Sequence, residues 1–269
     1  MHTIFKGVRM LLGSMNNPKE NLFEEITRIT DMGFDFIDLT LEYPGALPEV
    51  LMQQKKDVLD ALSTSKLKVV GHCPWFLSLA HPYDSVRDAS IKELKECIRA
   101  AAVFGADKVG IHPDTRATLY DSRGTYLSRL ATAVMELNKE ANDNGMVLLM
   151  EPYTDDFLNA DELAQLFHAA SSARLTLDIG HANIILPESK GIDLMLDKFK
   201  HKLYHMHLSD NHGEKDEHIG LGKGAIDWEK TIKKIKSVGY DGTITLEVFS
   251  GKADLEGSKL IARELWQKF

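Results

Sequence analysis

The chain has 269 residues, a length at which eight strand-helix units can close into one barrel around a large core. Its 43% hydrophobic and 27% charged residues are those of a soluble globular protein, and no apolar run is long enough to cross a bilayer. A formal net charge of −8 argues against a broad basic surface for nucleic acid, and two cysteines, Cys73 and Cys97, cannot form a disulfide framework.

Short apolar runs rich in β-branched residues alternate along the chain with longer segments of helical period. Strands are expected at 4–13, 34–40, 67–72, 108–112, 147–151, 175–178, 203–208 and 243–248. Between them, residues 84–104 show the helical case: Ile91, Leu94, Ile98 and Ala101 recur at three- and four-residue spacing, Asp84 is placed to cap, and Gly105 to stop. Asn159 with Glu162 three residues on reads as a capping box. Gly33 and Gly239 sit where a helix must end before the next strand. This alternation predicts an α/β chain, a single (β/α)₈ TIM barrel forming one domain over residues 1–269. An open doubly wound sheet would alternate in the same way, but Gly220-Leu221-Gly222-Lys223-Gly224 does not fit the dinucleotide fingerprint and follows a polar loop. The first residues lack the succession of basic, apolar and small residues found in a signal peptide, so a cytoplasmic location without a membrane partner is expected.

Catalytic groups of a parallel barrel project from the carboxyl ends of its strands. Here the third to eighth predicted strands end at or beside His72, His112, Glu151, Asp178, His207 and Glu247. Taken singly, each is a polar residue where a strand meets solvent. Six consecutive strands ending this way argue for a cation, because carboxylates gathered on one rim repel unless neutralised. Imidazole and carboxylate suit zinc or manganese, with magnesium or cobalt also compatible, and one to three ions are expected. Beyond the strands, His181 follows Asp178 by three residues, and Asp216 and His218 form an Asp-x-His pair. These three could form a further metal cluster; Glu217, like Asp216, also suits a salt-bridged surface loop. Trp75 and Phe76 could wall a sugar face, Arg116, Lys215 and Lys223 could meet a phosphate, and His205 points to an interior role one layer below His207.

These residues stand in Gly71-His72-Cys73-Pro74, Ile111-His112-Pro113, Glu151-Pro152, Leu177-Asp178-Ile179-Gly180-His181-Ala182-Asn183, His207-Leu208-Ser209-Asp210 and Gly222-Lys223-Gly224-Ala225-Ile226-Asp227-Trp228. In order and spacing, over essentially the whole chain, they resemble the xylose-isomerase-like barrel superfamily. Its isomerase and epimerase branch implies one metal on Glu151, Asp178, His207 and Glu247. Glu151 and Glu247 would then serve as base and acid on opposite faces of a small sugar or sugar phosphate, with His181 orienting a hydroxyl. Its endonuclease IV branch implies three zinc ions, on His72, His112 and Glu151, on Glu151, Asp178, His207 and Glu247, and on His181, Asp216 and His218, acting on abasic-site DNA. The loop from Thr40 through Glu42, Tyr43 and Pro44 to Pro48 lacks the arginines needed to grip a duplex, so the small-molecule branch is favoured. Nucleic acid is a partner only under the alternative.

Overall fold

The structure is a computed structural model that describes residues 10–113, 121–153, 158–186 and 190–269. Eight parallel strands close in chain order: β1 Leu11–Met15, β2 Phe36–Thr40, β3 Lys68–His72, β4 Lys108–Ile111, β5 Val147–Met150, β6 Arg174–Asp178, β7 Leu203–Leu208 and β8 Thr243–Leu246. Closure is made by β8 pairing with β1, Leu12 opposite Ile244 and Ser14 opposite Leu246. The helices are α1 Leu22–Asp31, α2 Pro48–Gln53, α3 Lys55–Ser65, α4 Asp84–Val103, α5 Arg123–Asp143, α6 Ala160–Ala169, α7 Ile179–Ile185, α8 Lys190–Phe199, α9 Trp228–Ser237 and α10 Lys252–Lys268. The (β/α)₈ barrel expected from the alternation is therefore present. No helix among the described residues is long and apolar enough to cross a membrane.

The strands are apolar nearly throughout because both faces are covered, one by helices and one by the barrel interior. Ile37 and Leu39 of β2, Val109 and Ile111 of β4 and Leu175 and Leu177 of β6 are all essentially inaccessible. Local signals start and stop the helices. Asn21 accepts from the Phe23 and Glu24 amides, Asp227 caps Lys230, and Asn159 and Glu162 complete the predicted capping box. Gly33, Gly105 and Gly239 follow their helices at φ of 68°, 88° and 77°, a region that favours glycine. Two expectations need correction. The first strand, Leu11–Met15, runs two residues past the predicted 4–13 span, of which residues 4–9 lie outside the described set. Asp84 is the first helical residue of α4, with Tyr83 as N-cap and no side-chain cap bond.

Register then sets the rim. Thr40 pairs with His72, Ile111 with Met150, Asp178 with His207 and Leu208 with Leu246, so the strand ends reach one level. An irregularity between Leu175 and Thr176 shifts β6 against β7 and brings Asp178 beside His207. Helix α7 is held close by α8: a Cβ built on Gly191 would fall 2.0 Å from the Ala182 carbonyl oxygen. Gly191→Ala is expected to cost roughly 1–3 kcal/mol by overpacking, read as a lower midpoint in urea denaturation. An unchanged midpoint would show that α8 can move off α7 freely.

Candidate metal centre

All nine residues singled out in the sequence converge on the carboxyl rim of the barrel. At its centre lies His207, whose Nδ1 is 3.0 Å from Glu151 Oε1 and 2.9 Å from Glu247 Oε2. One imidazole nitrogen carries at most one proton, so it cannot serve both carboxylates with a hydrogen bond. Donor atoms of Glu151, Asp178, His207 and Glu247 all lie within 4.8 Å of one another. His72 joins Glu151 and His207 within the same limit. His112 Nε2 stands 3.2 Å from His72 Nε2 and 3.6 Å from Glu151 Oε2. A third group is made by His181, Asp216 and His218, with Asp216 Oδ2 3.2 Å from His181 Nε2 and 2.8 Å from His218 Nε2.

Local structure aims these groups. Asp178 is the N-cap of α7, where its Oδ1 accepts from the His181 amide at 2.7 Å, and this turns the His181 ring toward Asp216. The loop carrying Asp216 and His218 is tied down by buried Asp210, which exchanges backbone hydrogen bonds with Ile219. Its carboxylate accepts from the Gly222 amide at 2.8 Å and the Trp228 indole at 2.8 Å. Between these anchors His218 adopts a φ of 47°, a left-handed conformation few non-glycine residues hold without support. The Phe249 amide donates to its carbonyl, and the Phe249 ring packs 4.8 Å from the imidazole.

The residues fit a cation. Glu151 Oε2, Asp178 Oδ2, Asp216 Oδ1, Glu247 Oε2 and His181 Nδ1 are buried without a hydrogen-bond partner in the protein, a costly arrangement unless another group satisfies them. Electrostatics agree. Burial pushes the Asp178 carboxyl up, and with Glu247 and Glu151 adding repulsion against the pull of His181 it reaches about 7. Burial would pull His181 down, but Asp178, Asp216 and Glu151 outweigh it and lift it to about 10. His218 rises to about 9 against its own burial, through Asp216 and Glu247. His207 is likewise raised against burial by Glu151 and Glu247. Protons thus hold the places a divalent ion would take. Burial lowers His112 to about 4, leaving a neutral ring with a lone pair to offer.

These groups border a cavity of about 1070 Å³, lined by His72, His112, His181, His218 and Glu247 on one side and by Asn16, Lys19, Trp75, Phe249 and Lys252 elsewhere. Trp75 and Phe249 remain 57% and 63% exposed, apolar faces turned to that space. Phe76 meets Trp75 edge-on at 5.9 Å. Of the cations considered for phosphate, Lys223 is bound to Asp254 at 2.5 Å, Lys215 is exposed on the loop, and Arg116 lies outside the described residues. Glu217 faces away and pairs with His212 at 2.9 Å, so only Asp216 of the two acids serves the rim. His205 is interior as expected. Sequence reasoning missed Asp38 of β2, fully buried and 3.2 Å from both His205 Nε2 and His207 Nε2. Its signal was a charge inside the apolar run Phe36-Ile37-Asp38-Leu39, two residues below the strand end. Glu42, in the loop after β2, also stands on the cavity wall, its carboxyl raised chiefly by burial.

The fold and rim define a (β/α)₈-barrel protein with an inward nitrogen and oxygen donor set. The chain belongs to the xylose isomerase-like TIM-barrel family, which matches residues 26–267. Fructoselysine 3-epimerase of Shigella flexneri is 24% identical over 270 residues, covering 96% of this chain and 94% of that protein. "Probable endonuclease 4" of Aquifex aeolicus is 24% identical over 243 residues, covering 81% of this chain and 84% of that protein. The crystal structure of a D-tagatose 3-epimerase-like protein superposes with a TM-score of 0.86 at 22% identity, covering 96% of this chain and 98% of that one. At that identity the structural likeness speaks to fold.

Proposed function

We propose that the chain is a divalent-metal-dependent isomerase or epimerase of a small sugar or sugar phosphate, one catalytic domain spanning residues 1–269. The observation that carries this reading is the pair Glu151 and Glu247, brought from β5 and β8 to 3.0 and 2.9 Å of the same His207 nitrogen beside an open cavity. Glu151, Asp178, His207 and Glu247 would hold the ion, with zinc or manganese suiting the donors and magnesium or cobalt also compatible. A divalent ion bound there supplies polarisation of a carbonyl and an adjacent hydroxyl of an open-chain sugar. The two glutamates then do the proton work, one taking a proton from carbon and the other returning one from the opposite side. His207 outweighs the upward push of burial on both, holding Glu247 at about 2 and Glu151 below the usual carboxylate range, so each can accept a proton, and the one that acts as the acid first takes its proton from solvent. His181 lines the cavity and orients a substrate hydroxyl, while Trp75 and Phe249 offer apolar faces to the sugar. The relatedness to fructoselysine 3-epimerase over nearly the full chain supports the same reading.

A metal-loaded sample incubated with a panel of ketoses in D₂O is expected to place deuterium on the carbon next to the carbonyl and to yield the epimer or isomer. A panel turned over by no member, with no deuterium at that carbon, would remove the proposal.

The assembled triad His181, Asp216 and His218 favours a second reading, an endonuclease IV-like trinuclear zinc phosphodiesterase acting on abasic-site DNA. Among the described residues the cations lining the cavity are Lys19, Arg28 and Lys252, and Arg28 is tied to Glu25 at 2.7 Å and to the Met15 carbonyl. That leaves little to grip a phosphodiester backbone. Three zinc equivalents together with incision of abasic DNA would make this second reading the right one.

A further inference from the structure

We infer that Asp38 is a positioning residue that locks the His207 ring with Nε2 turned into the barrel and Nδ1 presented to the rim donors. Asp38 takes no part in the proton transfers proposed above. The inference rests on the reading of His207 as a metal ligand.

Asp38 sits in the middle of β2, wholly inaccessible, one layer below the rim. Its Oδ2 lies 3.2 Å from His207 Nε2, 3.2 Å from His205 Nε2 and 2.7 Å from Thr245 Oγ1. An ionised carboxylate only accepts, so all three neighbours must donate to it. His205 is then fixed as well: its Nε2 donates to Asp38, and its Nδ1 accepts from the Thr243 hydroxyl at 2.7 Å. The Thr245 hydroxyl oxygen also lies 3.1 Å from His205 Nε2, so that N–H is shared between Thr245 and Asp38 and stays on Nε2 either way, and Asp38 Oδ1 alone in this network is left without a partner. The consequence for His207 is a fixed tautomer whenever an ion is bound. Nε2 keeps its proton and Nδ1, 3.0 Å from Glu151 and 2.9 Å from Glu247, is the only lone pair it has to give. A carboxylate behind a ligating imidazole both orients the ring and makes it a better donor. The same trio, Asp38, His205 and His207, also has donor atoms within 4.8 Å of one another, so an ion seated on it is the competing arrangement. The Thr245 hydroxyl at 2.7 Å favours the hydrogen-bonded one, since it completes the donors around a single oxygen.

The test uses the ¹⁵N-labelled, zinc-loaded chain. Two-bond ¹H–¹⁵N correlation spectra are expected to show His207 protonated at Nε2 and metal-bound at Nδ1. Asp38→Ala should weaken zinc binding about 10–100-fold in a chelator competition, the usual cost of losing such a partner. Asp38→Asn keeps an acceptor oxygen but not the charge, so it should retain the tautomer and lose affinity to a smaller degree. Metal on Nε2 of His207, or an Asp38→Asn variant that binds zinc as tightly as the wild type, would overturn the inference. The spectra need no variant, so a misfolded Asp38→Ala leaves the question decided by the wild-type chain. A wild-type chain that binds no zinc overturns this inference and the metal reading together; tight wild-type binding with unaffected variants overturns this one alone.

Discussion

Glu247→Gln is expected to lower turnover of the sugar substrate by about 10²–10⁴-fold, the range for losing a general acid or base, while the barrel remains folded. Glu247 follows directly on β8, lines the cavity, and faces His207 at 2.9 Å. Glutamine is nearly isosteric and keeps one oxygen for ligation, but it cannot carry a proton to or from carbon. A role confined to ligation predicts something different: weaker ion binding, with turnover restored once the ion is in large excess. The variant should therefore be assayed across a metal titration. Turnover that recovers to the wild-type value at saturating metal would take Glu247 out of the acid-base role. Glu151→Gln should be at least as damaging, because Glu151 approaches His112, His181 and His207 at 3.6, 3.8 and 3.0 Å and its loss disturbs more than one donor group. Deuterium exchange at carbon separates the pair. If each glutamate serves one face, one variant should still exchange from one epimer while failing to form the other, and an identical loss from both epimers in both variants would point to a single base.

How much of this was readable from residues alone follows from period. A barrel strand buried on both faces is a continuous apolar run, and its last residue is conspicuous when it is histidine or a carboxylate; His72, Asp178 and His207 were found in that way. Capping was legible where side chain and spacing agree, as at Asn159 and Glu162, and misleading at Asp84, where an acid near a helix start proved to be inside the helix. Asp38 was passed over because attention to strand ends looks one layer too high. Nothing local marks its partners, which lie 167 and 169 residues away on β7 and meet it only when the barrel closes. The left-handed His218 and the Asp210 anchor beneath it were hidden for the same reason, since both depend on the loop between β7 and α9 folding back on itself.

Metal affinity should rise steeply with pH, and the number of protons released should tell the central donor group from the outer triad. The sign follows from the raised groups. With no ion bound, His181 and His218 hold protons up to about 10 and about 9, Asp178 holds one below about 7, and His207 is raised in the same direction by Glu151 and Glu247 against its burial. Ligation requires each to give that proton up, so protons compete with the ion and acid weakens binding. At the central group, filling the site should release more protons at pH 6 than at pH 8, because Asp178 is protonated below about 7, and His207, raised well above its ordinary value, adds to the release. Affinity there should fall between pH 8 and pH 6, about tenfold from Asp178 alone and further as His207 takes up its proton. The triad should release about two protons per ion, from His181 and His218, at both values. Calorimetric titration in buffers of differing ionisation enthalpy counts these protons directly. His218→Ala should remove the two-proton event and leave the central one in place. A chain that shows only the central event, with one ion bound per chain, is built for the chemistry of a carbon-bound proton. A chain that shows both, with incision of abasic DNA, would shift the weight to the phosphodiesterase reading, and an affinity flat between pH 6 and pH 8 would mean that these histidines give up no proton on binding.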